Sequence, residues 1–114
     1  MVRLHAKRRL ELWCWRGDHE DAVLVVSELV ANAVNHARIV GHELRLRLAV
    51  TEDGALSVEV SDPVPDFPGF DHALAPGGMD ERGRGLAVVR ALAAELTWFP
   101  RRHIGKTVRA RVKP

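Results

Sequence analysis

Apolar residues recur at helical spacing in the first third of the chain and at strand spacing after it. Leu4, Ala6, Leu10, Trp13 and Cys14 can share one broad face of a helix over residues 2–15, with Lys7, Arg8 and Glu11 outside it. On this reading Cys14 is a buried helix residue, and Trp13, Trp15 and Trp98 are packing groups. Arg16, Gly17 and Asp18 interrupt the pattern. The spacing then predicts a second helix from about His19 to Ala37. Ala22, Val26, Leu29, Ala33 and Ala37 repeat on one face, and Val23, Val30 and Val34 widen it. Asp18 is placed to cap this helix, with Glu20 and Asp21 at its positive end. Gly41 helps to end the segment.

Alternation follows. Leu44, Leu46, Leu48 and Val50 alternate with Arg45, Arg47 and Ala49. Leu56, Val58 and Val60 alternate with Ser57 and Glu59. Thr51-Glu52-Asp53-Gly54 reads as the hairpin connection, Gly54 supplying a positive φ. Residues 63–82 hold Pro63, Pro65, Pro68 and Pro76 and form a loop of about 20 residues, a length that in a compact domain points to a lid or binding loop. A third helix is expected from near Gly85, with Val88, Val89, Leu92 and Leu96 as its stripe. Strands at Thr97–Pro100 and Lys106–Val112 complete the pattern. The order predicts an α+β fold, a two-layer sandwich with a mostly antiparallel sheet and helices on one face.

Composition narrows the function classes. The chain has 114 residues, 46% of them apolar, and reads as a single domain over 1–114. A lone cysteine offers neither an internal disulfide nor a metal framework. No run approaches the ~20 apolar residues of a membrane span, and no apolar run follows the basic N-terminus, so a cytoplasmic protein without a membrane role is expected. The net charge of +2 is mild. Basic residues gather near both ends without interleaved aromatics, the pattern of solvated faces rather than of direct nucleic-acid binding. The histidines are scattered without metal-ligand spacing.

Three polar features remain. Glu28, Asn32 and Asn35 form one stripe on the second helix, flanked by Val25, Leu29 and Val34. A carboxylate and an amide oxygen one turn apart suit a hard cation such as Mg²⁺, and a solvated helix face is the alternative. Asp62 continues the phase of Leu56, Val58 and Val60, so its carboxylate should face the helices. It either meets a ligand or caps a turn before Pro63. Gly83-Arg84-Gly85-Leu86 precedes the third helix, where free amides and the helix dipole favour an anion. An ordinary glycine-rich helix start is the alternative.

The order of these features resembles the GHKL superfamily, the Bergerat-type ATP-binding fold of histidine kinases, gyrase B and MutL. Glu28-Leu29-Val30-Ala31-Asn32-Ala33-Val34-Asn35-His36-Ala37 resembles its N-box, Asp62 the G1-box aspartate, Gly83-Arg84-Gly85-Leu86 the G2 box, and Gly105-Lys106-Thr107-Val108 the final-strand motif. Among short relatives, the chain most resembles anti-sigma-factor serine kinases of the RsbW type.

The resemblance implies roles for ATP and Mg²⁺. Asp62 would accept a hydrogen bond from the adenine amino group. Asn32 would ligate Mg²⁺, with Asn35 beside it. Gly83, Arg84, Gly85 and Leu86 would offer amides to the phosphates, and Thr107 would support the adenine end. Strand alternation sets Thr107 opposite to Val108, so that last role needs a bulge. Glu28 would act as general base toward a serine hydroxyl or water. The implied activity is a serine/threonine-protein kinase that holds a sigma factor or phosphorylates a STAS-type antagonist. A non-catalytic ATP sensor and a nucleotide-free adaptor are the alternatives. The sequence departs from the family where Pro63, Val64 and Pro65 stand in place of G1 glycines, and the loop after Asp66 is short for a lid. The chain also begins inside the family's first helix, an arrangement expected to leave a sheet edge open for a homodimer.

Overall fold

The computed structural model describes residues 2–37, 44–64, 81–102 and 105–114, with the backbone alone for 35–37 and 81–84. Its elements are α1 (Val2–Leu12), α2 (His19–Ala37), β1 (Arg45–Val50), β2 (Leu56–Asp62), α3 (Glu81–Leu92), β3 (Glu95–Pro100) and β4 (Lys106–Val112). Most of the proline-bearing loop expected over 63–82 lies outside the described residues.

The four strands form one sheet in the order β1-β2-β4-β3, and every pairing is antiparallel. β4 therefore returns to the middle, between β2 and β3. Leu56, Val58 and Val60 of β2 and Val108, Ala110 and Val112 of β4 turn to the helices and are buried. Ala6 and Leu10 of α1, Ala22, Val25, Val26, Leu29 and Ala33 of α2, and Leu86 and Val89 of α3 complete the same core. This is the α+β sandwich that the alternation predicts. Truncating a fully buried leucine such as Leu10 would cost about 2–5 kcal/mol.

The start of α2 follows its sequence signal. Asp18 Oδ1 accepts from the Asp21 N–H at 3.0 Å, and Asp18 O accepts from the Ala22 N–H at 3.0 Å. The turn before it is built around Trp15. The indole is buried, donates Nε1–H to Gly54 O at 2.9 Å, and lies 6.0 Å from the His19 ring, which stacks on it. A Cβ at Gly17 would stand 2.2 Å from the Trp15 ring, so glycine is required there for space. These contacts tie the α1–α2 turn to the β1–β2 hairpin, where Gly54 has the expected positive φ of 84°.

Several expectations need correction, among them the apolar places of Leu4, Trp13, Val50 and Val88, all of which are exposed. α1 ends at Leu12, and Cys14 is exposed in the following turn with φ 51°, so it is not a buried helix residue. Trp15, beyond the helix, takes the buried place instead. Val34 is 53% exposed and lies outside the apolar face of α2. Leu96 is buried, but from β3 rather than from the stripe of α3. Finally, α3 begins at Glu81, four residues before Gly85, so the Gly-Arg-Gly segment lies inside the helix and not ahead of it.

Candidate functional site

β2 and β4 place the expected Asp62 at one end of the sheet. Their register runs without interruption from Leu56↔Val112 to Asp62↔Lys106. Alternation carries Asp62 to the helix side, where it is 1% exposed. The same alternation brings Lys106 beside it, fully buried. Lys106 Nζ stands 3.0 Å from both Asp62 carboxylate oxygens. The Val64 N–H donates to Asp62 Oδ1 at 2.8 Å, closing a turn over Pro63. Asp62 therefore caps the turn, one of the two roles its sequence position allows, and meets a charged partner besides.

Gly105 fixes where β4 begins. Its φ is 78°, and a Cβ there would fall 1.8 Å from Asp62 O. The backbone of one strand end thus rests directly on the other, which only glycine permits.

Thr107 goes elsewhere. Its hydroxyl is 2.8 Å from the Ser61 hydroxyl, on the face of the sheet away from the helices. The bulge that a role beside Asp62 requires is absent from the β2–β4 ladder. Lys106 holds that place. The strand pattern contains its signal, because Lys106 is in phase with Val108, Ala110 and Val112.

On α2, Asn32 is 5% exposed and its Oδ1 is buried with no hydrogen-bond partner. A buried amide oxygen left unpaired costs about 1–3 kcal/mol, and proteins rarely retain one without a ligand or water to meet it. One turn earlier is Glu28, half-buried. A Cβ on Gly85 of α3 would stand 2.6 Å from Glu28 Oε2. Gly85 is thus needed less for backbone freedom than for room, because the carboxylate occupies the volume where a side chain would be. Sequence reasoning did not foresee this contact between the two motifs. The side chain of Asn35 lies outside the described residues.

The Gly-Arg-Gly segment acts differently from expectation. Gly83 falls among the opening N–H groups of α3 that lack partners within a helix, whereas Arg84 is the fourth residue, the position from which Ala22 of α2 already donates to Asp18 O. Gly85 is the fifth residue, past that set, and the Leu86 side chain is fully buried in the core. Of these four residues, Gly83 is therefore the one whose amide the helix leaves open to an anion.

Two parts of a candidate site result. At one, the Glu28 carboxylate meets Gly85 of α3, one turn from the buried Asn32 Oδ1. At the other, a carboxylate is already held by an ammonium. The first fits a cation with oxygen ligands: Mg²⁺ takes one or two protein oxygens and completes its shell with water and phosphate. Among the described residues, no group of three or more histidine, cysteine or acidic side chains is arranged as a metal cage. No described helix is long and apolar enough to cross a membrane.

Comparison with known proteins agrees with this layout. The family model described as "Histidine kinase-like ATPase domain" matches residues 4–112. Among solved structures, the chain is similar to the histidine kinase domain from the Erythrobacter litoralis EL346 blue-light activated histidine kinase. The TM-score is 0.62 at 26% identity, over 82% of this chain and 43% of that one. A structure of the Erythrobacter litoralis EL346 blue-light activated histidine kinase gives a TM-score of 0.61 at 24% identity, over 83% of this chain and 31% of that one. The chain spans less than half the length of either, and the second likeness speaks to fold alone. No curated protein matches the chain in sequence.

Proposed function

The chain belongs to the histidine kinase-like ATPase domain family, and from that premise we propose that it is an ATP-binding regulatory protein that transfers a phosphoryl group from Mg-ATP to a serine or threonine of a partner protein. On the resemblance to RsbW-type kinases, the partner is a STAS-type antagonist, and the alternative partner, held without chemistry, is a sigma factor.

The observation that carries this reading is the buried, unpartnered Oδ1 of Asn32, one helical turn from the Glu28 carboxylate that packs against Gly85. Asn32 would supply the amide oxygen that a phosphate-bridging cation needs. That cation would neutralise charge on the transferring group. The opening amides of α3, Gly83 foremost, would donate to phosphate oxygens. Glu28 would accept the proton of the attacking hydroxyl as that oxygen bonds to phosphorus and the bond to the leaving ADP breaks. Half-burial beside α3 keeps the Glu28 carboxylate positioned yet reachable.

A second reading, an ATP sensor without catalysis, is favoured by the base end. Asp62 is already bonded to Lys106 and to the Val64 amide, and Pro63 follows it directly.

Thermal unfolding with and without Mg-ATP tests the nucleotide reading. A ligand that binds only the folded state, at 100 times its dissociation constant, stabilises by about 2.7 kcal/mol. The shift is expected in the wild type and lost in Asn32→Ala. No shift at millimolar Mg-ATP would remove the proposal. Glu28→Gln then separates the two readings: a kinase loses transfer to the antagonist's serine while its thermal shift persists. A wild type that shifts but never phosphorylates a candidate antagonist is the sensor.

A further inference from the structure

Neither the resemblance nor the family explains the Asp62–Lys106 pair. Asp62 Oδ1 accepts from the Val64 N–H at 2.8 Å and from Lys106 Nζ at 3.0 Å, and Oδ2 is 3.0 Å from the same ammonium. Lys106 Nζ also donates to Val64 O, at 3.4 Å. The two side chains are 1% and 0% exposed. Gly105, pressed onto the Asp62 carbonyl, fixes the start of β4, so the backbone itself delivers Lys106 to this carboxylate.

We propose that Lys106 sets the base preference of the site, setting a donor beside the acceptor Asp62, so that guanine is accepted about as readily as adenine. This rests on the nucleotide reading above. A carboxylate alone is acceptor-only. It attracts the 6-amino group of adenine and repels O6, which guanine carries at the same position. The ammonium of Lys106 is donor-only and sits within bonding distance of both carboxylate oxygens. Guanine O6 can take the proton now given to Val64 O, a contact longer than either to the Asp62 carboxylate. Adenine, in turn, gains less than it would from a free carboxylate. Its neutral amino group must share Asp62 with a charged donor, whose hydrogen bonds are roughly twice as strong. Both effects narrow the difference between the purines. A base reaches the pair only by replacing groups now packed against it, so purine affinity is also lowered overall.

The test is calorimetric titration of the wild type, Lys106→Thr and Lys106→Gln with Mg-ATP and with Mg-GTP, each variant first shown to be folded by circular dichroism. The wild type should bind the two nucleotides within about threefold of each other, less than one hydrogen bond to a charged group supplies. Lys106→Thr should prefer ATP by about tenfold or more, the discrimination one hydrogen bond to a charged group supplies. Lys106→Gln keeps a neutral donor and should fall between, which retains the test if the threonine variant does not fold. A ratio, unlike an affinity, is not moved by general destabilisation. A wild type that already prefers ATP by tenfold, with the ratio unchanged in both variants, makes Lys106 a structural residue and overturns the inference while leaving the nucleotide reading intact. No binding of either nucleotide by any of the three overturns both.

Discussion

Ion pairs mark both ends of β4, and they are of opposite kinds. At the C-terminal end, Arg111 reaches Asp53 at 2.8 Å and Glu95 at 3.2 Å, with all three side chains at least 29% exposed. At the N-terminal end, Lys106 and Asp62 are sealed from solvent. The exposed end closes a hairpin beside Trp15 and Gly54, where local backbone and side-chain groups bond one another. On α2, the buried Asn32 Oδ1 has no hydrogen-bond partner among the described residues. In water the attraction of an ion pair is largely offset by screening and side-chain entropy, so the Arg111 contacts contribute little. Out of water, each charge depends on the other for its place in the fold. The sheet therefore separates an exposed end, closed by local contacts apart from an Arg111 Nε unbonded among the described residues, from a sealed end that carries the candidate site.

The largest effect should come from breaking the sealed pair. Asp62→Ala leaves an ammonium buried without its counter-charge and should cost about 3–5 kcal/mol in urea unfolding. Replacing both residues with apolar side chains, Asp62→Leu with Lys106→Met, should recover most of that cost. Recovered stability without recovered nucleotide binding would show that the pair is kept for the site. If Asp62→Ala costs no more than an exposed pair, the contrast between the ends fails.

Glycine substitutions sharpen the same contrast. Gly54 and Gly105 have nearly the same φ, 84° and 78°. A Cβ at Gly54 has its nearest neighbour 3.8 Å away, in Pro114, whereas at Gly105 it meets Asp62 O at 1.8 Å. Gly54→Ala should cost about 1–2 kcal/mol, the left-handed conformation alone. Gly105→Ala should cost about 2–3 kcal/mol and disturb the Asp62–Lys106 register as well. Equal costs, measured by chemical denaturation, would mean that close backbone approach does not matter at the site end.

The exposed hairpin end was legible in the sequence, and the other only in part. Asp18, Gly54 and the alternating strands act through neighbours a few residues away, which is the range that spacing reports. The helix-side placement of Asp62 followed from strand phase for the same reason. Lys106 was in that phase too, yet the resemblance drew attention to Thr107, which the uninterrupted ladder sets on the far face. The contact of Glu28 with Gly85 joins α2 to α3 across a long loop, and no local pattern encodes it. The start of α3 at Glu81 was missed because glycines at 83 and 85 read as a break, whereas packing of Leu86 and Val89 into the core outweighs their weak helix preference.

Asn32→Ala should separate function from stability most cleanly. It removes an unpaired buried acceptor, so the free protein should change by less than about 1 kcal/mol, the loss of side-chain packing being offset by the relief of desolvation. A large loss without nucleotide would mean that Oδ1 has a structural partner, against the reading of α2.

The smallest effect belongs to the exposed end, through pH. The Asp53 carboxyl is held below the ordinary carboxylate value, first by the Thr51 hydroxyl, then by the Ala55 N–H, with the Arg111 charge adding to them. A depressed folded value means that the unfolded chain binds the proton more readily. The resulting stabilisation is full above the unfolded value of about 3.9 and is lost as pH falls through the lower folded value. Asp53→Asn should therefore lower the unfolding midpoint slightly at pH 7 and converge on the wild type as pH falls through the lower folded value. Thermal melts across that range check it, and added salt should shrink the Arg111 contribution without touching the hydrogen bonds. Curves that stay parallel down to the lowest pH would remove Asp53 from the hairpin's stability and leave Trp15 and Gly54 as what closes that end.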